Sequence, residues 1–188
     1  MINQQELQQK FSTLVKNVYD WAEARGIYDP TDGSRQYDQA VKLIEELGEM
    51  ASGIKKNKRD VVQDSLGDIM VVIINVFYLG KYGTLDISKL PTNVDFNWST
   101  TLEKEEIVKQ NEEFFTRLCK YLAAVIESSR QSMGVNFALI QNVIDCLFIL
   151  EELQGFETLS SLEMAWDTIK DRKGKMVNGV FVKEEDLA

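Results

Sequence analysis

The stretch KLIEELGEMASGIKKNKRDVVQDSLGDIM, residues 42–70, decides the fold of this protein. Two segments with apolar residues at helical spacing flank the polar run KKNKRD. Helices joined by so short a connection pack as antiparallel neighbours. The two segments together carry five carboxylates, which are Glu45, Glu46, Glu49, Asp64 and Asp68. We therefore expect an antiparallel helical pair that brings the glutamates opposite the aspartates.

The glutamates of the first helix border its apolar side. Glu45 and Glu49 are four residues apart and Glu46 and Glu49 are three apart, so all three side chains are neighbours on one face. Like charges at these spacings destabilise a helix by a few tenths of a kcal/mol. A divalent cation would reverse the sign of that effect. The spacing by itself is equally typical of a solvated helix face, and both interpretations stay open here.

The second helix surrounds its aspartates with apolar residues. Asp64 and Asp68 are four residues apart, and Asn75 continues the same stripe seven residues after Asp68. A helix that is apolar nearly all round is buried. A buried carboxylate is costly unless it is neutralised or finds a cation. The two helices therefore predict an oxygen-only site suited to Mg²⁺, with Mn²⁺ as the alternative.

The composition of the 188-residue chain narrows the chemistry. It contains no histidine, which removes the commonest general base and the commonest transition-metal ligand. Metal binding must then depend on oxygen ligands, which favour Mg²⁺, Mn²⁺ or Ca²⁺. The net charge of −9 argues against non-specific nucleic-acid binding, which needs a basic surface. An acidic protein can still bind phosphates through divalent metals.

The cysteines and the apolar runs indicate a cytoplasmic protein. Cys119 and Cys146 each lie in an apolar context, as buried thiols do, and do not form a disulfide framework. The N-terminal stretch MINQQELQQKF is polar and lacks a signal-peptide core. The longest apolar run, IMVVIINVFYLG, is too short to span a bilayer. We expect no membrane partner.

Helical periodicity predicts an all-α bundle of about five or six helices in one domain over residues 1–188. The segment 84–104 has no clear period and is predicted to be a long connection. Asn178-Gly179 is a tight-turn dipeptide, so the tail should form a short turn or hairpin. The predicted helices span 3–25, 34–54, 60–79, a segment from about 101, one within 135–156 and one from 158 to Gly174, and the predicted stops are Gly26, Gly80, Gly83 and Gly174.

The acidic pattern resembles a known family. EELGE followed by DSLGDIMVVIIN is similar to the MazG-like nucleoside triphosphate pyrophosphohydrolases, in which an E-E-x-x-E helix precedes an E-x-x-D helix. QAVKLIEELGE, YDWAEARGI and AWDTIKDRKGKMVNGVFVKEEDL also resemble the phage-type and bacterial MazG-like branch. The resemblance covers residues 17–80 and 160–187. Ser65 departs from it, because the family has Glu three residues before its Asp, and Asp64 lies immediately before that position.

The resemblance implies a Mg²⁺-dependent hydrolase with a four-helix core, and we expect a homodimer or higher homo-oligomer. The substrate would be a nucleoside triphosphate, and the products its monophosphate and pyrophosphate. Glu46 or Glu49 would orient or deprotonate the attacking water. Either Asp64 replaces the missing ligand, or solvent fills that place. The metal ligands implied are Glu45, Glu46, Glu49, Asp68 and Asp64.

Substrate contacts are implied for a further set of residues: Gln39, Lys42, Asn75, Lys170, Arg172, Lys173 and Trp21. Each group has a structural alternative. The basic cluster at 170–173 is also typical of a solvated helix end, which the helix dipole favours. Trp21 could stack on a base, and a lone aromatic on an amphipathic helix is also typical of a core residue.

The chain between residues 101 and 156 invites comparison with the acidic pair at 30–80. IQNVIDCLFILEEL can be laid over QDSLGDIMVVIINV with Asp145 opposite Asp68, which predicts a degenerate second helical pair that completes a four-helix core. The alternative is that apolar helices look alike. Two rivals to an enzyme stay open. One is a catalytically weakened nucleotide- or metal-binding regulatory module, favoured by Ser65, and the other is a purely structural helical protein.

Overall fold

The computed structural model describes residues 4–80, 102–131 and 134–187. Within these ranges the protein consists of six α-helices and one β-hairpin, which confirms the predicted all-α bundle. The elements in chain order are α1 (Gln4–Ala24), α2 (Gln36–Lys55), α3 (Arg59–Leu79), α4 (Lys104–Ser129), α5 (Phe137–Leu153), α6 (Ser160–Ile169), β1 (Gly174–Val177) and β2 (Val180–Lys183), followed by a 3₁₀ turn at Glu184–Asp186. The predicted connection 84–104 falls almost entirely outside the described residues.

Four helices form the core, and α3 is central to it. The three residues 56–58 join α2 to α3, and these two helices pack along each other, as do α4 and α5. Because α2 also contacts α4 and α3 contacts α5, the two pairs close into a four-helix arrangement, while α1 and α6 cover α3. Helices α4 and α5 form the second of these pairs. Its origin as a degenerate repeat stays a prediction.

Helix α3 extends well beyond the apolar run that begins at Ile69, because the helix begins at Arg59. By length and composition Arg59–Leu79 could cross a membrane, and 72% of its apolar window is buried inside the fold. That burial is what a central helix of a bundle has, since neighbouring helices cover it on several sides.

The end of α1 follows the local signal at Gly26. This glycine has φ of 73°, in the left-handed region that favours glycine. The backbone N–H of Ile27 then donates to the carbonyl oxygen of Ala22 at 3.0 Å, which satisfies one of the last carbonyls of the helix. The reversal buries Ile27 and places it against the cavity described below.

The end of α6 differs from the prediction. The helix stops at Ile169, and Gly174 begins β1 instead of ending the helix. Gly174 pairs with Lys183, and a Cβ at Gly174 would lie 2.2 Å from the carbonyl oxygen of Val182, so the strand pair leaves no room for a side chain there. The predicted hairpin is confirmed. Its two-residue turn, Asn178-Gly179, has φ of 51° and 79°, as a type I′ turn requires.

Two contacts fix α6 against the core. The carboxylate of Glu151, fully buried, accepts hydrogen bonds from the backbone N–H groups of Leu159 at 2.8 Å and Ser161 at 2.7 Å, at the N-terminus of α6. Burial raises the pKa of Glu151, although these hydrogen bonds oppose the rise. A Cβ at Gly67 would lie 2.2 Å from the carbonyl oxygen of Ser161, so α3 and α6 cross at close range. These contacts position the segment after α6 close to the helices α2 and α3, which carry the predicted acidic site.

Candidate active site

A cavity of about 340 Å³ lies between α2 and α3, and it is closed by residues from α1, the end of α6 and β2. Three chemically different walls surround it. The acidic wall consists of Glu45, Glu46, Glu49 and Asp68. The basic wall consists of Lys42, Arg172 and Lys183. The apolar wall consists of Trp21, Ile27, Val71, Val72, Ile169 and Phe181. Two amides, Gln39 and Asn75, complete the lining.

The acidic wall holds more negative charge than its surroundings compensate. Burial raises the pKa of Glu46 to about 7, and the charges of Asp68 and Glu49 add to the rise. Burial also raises the pKa of Asp68 to about 6, Asp64 adds to the rise, and Arg172 opposes it. Glu46 and Asp68 are therefore easier to protonate than usual, because burial disfavours the charged form and ionised neighbours repel it.

The chemistry of the acidic wall fits a hard divalent cation. All four groups offer carboxylate oxygens, the ligands that Mg²⁺ prefers, and a cation would relieve the repulsion that raises the pKa values of Glu46 and Asp68. Among the described residues no three acidic, cysteine or histidine side chains are close enough to hold one ion in common. The donor type is present, whereas a preformed cage is not.

The basic wall comes from three elements: Lys42 lies on α2 beside the glutamates, Arg172 follows α6, and Lys183 lies on β2. Burial lowers the pKa of Lys42, and the carboxylates of Glu45 and Glu46 oppose that change. The backbone carbonyl of Arg172 accepts hydrogen bonds from the Nε of Arg25 at 2.9 Å and from its Nη2 at 2.6 Å. Arg25 therefore anchors the segment after α6 to the end of α1, and holds Arg172 at the cavity.

The apolar wall combines core and cavity surfaces. Trp21 is buried in α1, which fits the core interpretation, and it also lines the cavity, which keeps the stacking interpretation open. Its ring meets that of Phe181 edge-on, with centroids 5.6 Å apart, and the guanidinium carbon of Arg25 lies 4.6 Å from the centroid of its indole. The indole thus contacts one residue that lies a helical turn away, Arg25, and one that is distant in the chain, Phe181.

The two amides are held by hydrogen bonds from outside the helical pair. Gln39 donates from Nε2 to the hydroxyl of Ser34 at 2.8 Å, and that hydroxyl donates to the carbonyl of Gly179 at 2.6 Å. The hairpin turn is thereby tied to the start of α2. Asn75 accepts a hydrogen bond at Oδ1 from the hydroxyl of Tyr28 at 2.6 Å.

Three predicted site residues lie outside the cavity lining, and so does Ser65, where the sequence departs from the resemblance. Asp64 does not line it, although its charge raises the pKa values of Glu46 and Asp68. Ser65 is 1% exposed, and its hydroxyl finds no hydrogen-bond partner among the described residues. Lys170 is exposed and binds Asp167 at 2.7 Å. Lys173 borders a neighbouring groove that Arg172 and Lys183 also line.

Sequence reasoning missed several residues that the structure brings to the site. Lys183 and Phe181 come from β2, Ile27 follows the first helix, and Arg25 acts behind the basic wall. A signal existed for Lys183. The predicted hairpin centred on Asn178-Gly179 pairs residue 183 with residue 174, close to the basic cluster. No local pattern indicates the partners of Arg25.

Comparison with known proteins identifies no family. No family model matches the sequence, and no solved structure matches it. A protein of Haemophilus phage HP1 (strain HP1c1), described as "Uncharacterized 18.2 kDa protein in rep-hol intergenic region", is 44% identical over 61 residues. These residues make up 32% of this chain and 36% of the phage protein, so the match spans about a third of each.

Proposed function

We propose that this protein is a cytoplasmic, Mg²⁺-dependent pyrophosphohydrolase that converts a nucleoside triphosphate to its monophosphate and pyrophosphate, with Mn²⁺ as an alternative metal. The observation that carries the proposal is a cavity in which a cluster of four carboxylates meets basic and apolar side chains. A nucleotide has an anionic tail and an apolar, aromatic base, so one such cavity can accommodate both ends. The MazG-like resemblance of the two acidic segments points to the same chemistry.

The phosphate tail finds its partners on the basic wall. Arg172, Lys183 and Lys42 can donate hydrogen bonds to phosphate oxygens, and Arg172 can do so with two parallel N–H groups. The carboxylates of the same cavity would repel these phosphates. Glu45, Glu46, Glu49 and Asp68 are the residues that would hold Mg²⁺. When bound there, the metal supplies charge neutralisation and a more acidic water.

The carboxylates of α2 also serve the reaction itself. Glu46 or Glu49 orients the attacking water and accepts its proton. The water oxygen forms a bond to the α-phosphorus, and the bond from that phosphorus to the α–β bridging oxygen breaks. Pyrophosphate leaves with the electron pair. The partly buried position of Glu46 beside Asp68 suits this role, because it shields the acceptor from bulk water.

The test is a screen of canonical and modified NTPs and dNTPs with Mg²⁺, in which chromatography identifies the products. We expect monophosphate and pyrophosphate from the first time points. Glu46→Gln and Glu49→Gln should each abolish turnover and leave the helical circular-dichroism signal intact. The control is Glu157→Gln, which changes an exposed carboxylate in the loop before α6 and should retain turnover. Early diphosphate would mean attack at the γ-phosphorus and would overturn the proposal, as would an active Glu46→Gln or Glu49→Gln variant.

A weakened binding module is the second candidate, and the placement of Ser65 favours it. Ser65 is buried and Asp64 lies outside the cavity lining, which supports a site without a substitute for the glutamate that the resemblance would place at position 65. Four carboxylates then remain, with solvent in the fifth place. A module of this kind predicts that Mg²⁺ and NTP together raise the melting temperature without product formation. A purely structural protein predicts no change in melting temperature.

We propose further that the protein is a homo-oligomer. The outer face of α2 exposes two aliphatic side chains, Ile44 at 63% and Val41 at 41%. Burying such side chains against a second copy is favourable, at about 25 cal/mol per Å² of apolar area. Light scattering after size exclusion should show a dimer or larger species for the wild type. A monomeric wild type would overturn this part of the proposal.

A further inference from the structure

The hydroxyl of Tyr28 is placed to control the orientation of the Asn75 amide. The 2.6 Å contact joins the phenol oxygen to Oδ1 across 47 positions of the chain. The ring of Tyr28 stacks on Tyr19, with centroids 5.3 Å apart and planes inclined by 21°, and it lies 6.0 Å from the ring of Tyr78. Burial raises the pKa of Tyr28. The phenol therefore stays protonated at neutral pH and donates its hydrogen bond from a fixed ring.

This hydrogen bond decides which end of the amide serves the cavity. An asparagine side chain has one acceptor oxygen and an NH₂ group with two donors. Tyr28 engages the oxygen of Asn75, and Asn75 lines the cavity, so Nδ2 is the end left for a ligand. A cation or a metal-bound water would need the oxygen instead. A ligand oxygen or ring nitrogen accepts from Nδ2.

The position of Asn75 along α3 separates it from the charged end of the cavity. It follows Asp68 by seven residues, which is about 10 Å along the helix at 1.5 Å per residue. Arg172 acts at the Asp68 end, where its charge lowers the pKa of that carboxyl. Val71 and Val72 form the cavity surface between Asp68 and Asn75. A nucleotide with its phosphates at the Asp68 end would bring its sugar or base to Asn75.

We propose that Tyr28 is a positioning residue, which holds Asn75 with Nδ2 toward the cavity so that this subsite accepts a hydrogen-bond acceptor of the nucleoside. The inference rests on the proposed function and goes beyond it, because it assigns Asn75 to the nucleoside and excludes it from the metal. It also gives a role to a tyrosine that contacts no phosphate.

The test compares three variants of the full chain with the wild type. Tyr28→Phe removes only the hydroxyl, and Asn75→Asp replaces the NH₂ group with oxygen while keeping an acceptor for Tyr28. Tyr19→Phe is the matched control, because its hydroxyl belongs to the same ring cluster but donates to Glu23 at 2.8 Å. The measurements are KM and kcat for an accepted NTP, inhibition by the nucleoside monophosphate and by pyrophosphate, and the melting temperature.

We expect Tyr28→Phe to raise KM about two- to tenfold with nearly unchanged kcat, the range that one neutral hydrogen bond of about 0.5–1.5 kcal/mol supports. Asn75→Asp should weaken inhibition by the nucleoside monophosphate more strongly than Tyr28→Phe does. The carboxylate oxygen that replaces Nδ2 repels the hydrogen-bond acceptor of the nucleoside. Inhibition by pyrophosphate should stay as in the wild type for both. A merely structural role would lower the melting temperature without this selective loss.

The outcomes separate the two proposals. If the wild type hydrolyses an NTP but Tyr28→Phe behaves like Tyr19→Phe, the positioning inference is wrong and the proposed function stands. The inference is also wrong if Asn75→Asp tightens Mg²⁺ binding, or if it weakens inhibition by pyrophosphate as much as inhibition by the monophosphate. In those cases Asn75 binds the metal or the phosphates. A wild type that neither binds nor hydrolyses any nucleotide overturns both.

Discussion

Glu46→Gln should make the metal-free protein more stable at pH 8. The pKa of Glu46 rises from 4.5 to about 7, chiefly because the side chain is removed from water and secondarily because Asp68 and Glu49 repel its charge. A raised pKa in an acid means that the folded state holds its proton more tightly than the unfolded state does. Folding is therefore penalised once Glu46 ionises, and the neutral amide removes that penalty.

The structure sets the size of the effect. A rise from 4.5 to about 7 is equivalent to about 3 kcal/mol at 1.36 kcal/mol per pH unit. Glu46 is only partly buried, so solvent screening reduces the expected gain to about 1–2 kcal/mol. For a chain of this length, 1 kcal/mol moves the melting temperature by about 2–4 °C. We expect Glu46→Gln to melt about 3–6 °C above the wild type at pH 8.

The pH dependence gives the prediction its sign. Wild-type stability should fall as the pH rises from about 4.5 to about 7, because the folded state binds more protons than the unfolded state in that window. The advantage of Glu46→Gln should shrink as the pH is lowered toward 4.5. Asp68, whose pKa rises to about 6, should also make the stability of the wild type fall as the pH rises.

The assay is thermal unfolding followed by circular dichroism in chelator-treated buffer between pH 5 and pH 8. Glu45→Gln is the control, because it removes the same charge from the same helix at an exposed position, and it should gain less. If the Glu46→Gln variant melts at or below the wild-type temperature at pH 8, the carboxylates of α2 and α3 do not repel one another as described. In a second series with added Mg²⁺, we expect the difference in melting temperature between the Glu46→Gln variant and the wild type to narrow, because the metal stabilises the wild type.

Three further predictions concern the scaffold and the acidic wall. Gly67→Ala should lower the free energy of unfolding in urea by about 1–3 kcal/mol, since the added Cβ would lie 2.2 Å from a backbone oxygen. Its control, Gly48→Ala, places a Cβ in open space within a helix and should raise that free energy by up to about 1 kcal/mol. Glu151→Gln should lower the free energy of unfolding by about 1–3 kcal/mol in the same assay, because its NH₂ group would face a buried backbone N–H that now donates to a carboxylate oxygen. In a Mg²⁺ titration of turnover, Asp64→Asn should be milder than Asp68→Asn, and equal damage would assign Asp64 as a ligand.

Local signals in the sequence were sufficient for the scaffold of the site. The predicted spans 34–54 and 60–79 agree with α2 and α3 to within two residues at each end, because the apolar period is long and unbroken in both. The stop at Gly26 and the turn at Asn178-Gly179 depend on φ values above zero, which few residues adopt, so their composition also predicted them. The stop at Gly174 failed because pairing with β2 competes with helix continuation there.

The candidate residues divide along the same line. Those on α2 and α3 line the cavity, with the exception of Asp64, since helical spacing fixes the face on which each side chain lies. Lys170 and Lys173 do not line it, because the direction of a side chain beyond a helix end depends on where the chain turns, and α6 ends five residues before the predicted stop. Arg172, between them, does line the cavity.

By itself, the sequence determined an all-α bundle with a carboxylate-bearing helical pair, because periodicity and charge act over a few residues. Only the tertiary structure decided what faces those carboxylates. Arg25 reaches Arg172 across 147 positions, and Tyr28 reaches Asn75 across 47. Contacts at such separations depend on how whole helices pack, and no local preference for helix or turn encodes them. The part of the cavity that α1, β2 and the segment after α6 supply is therefore a property of the fold as a whole.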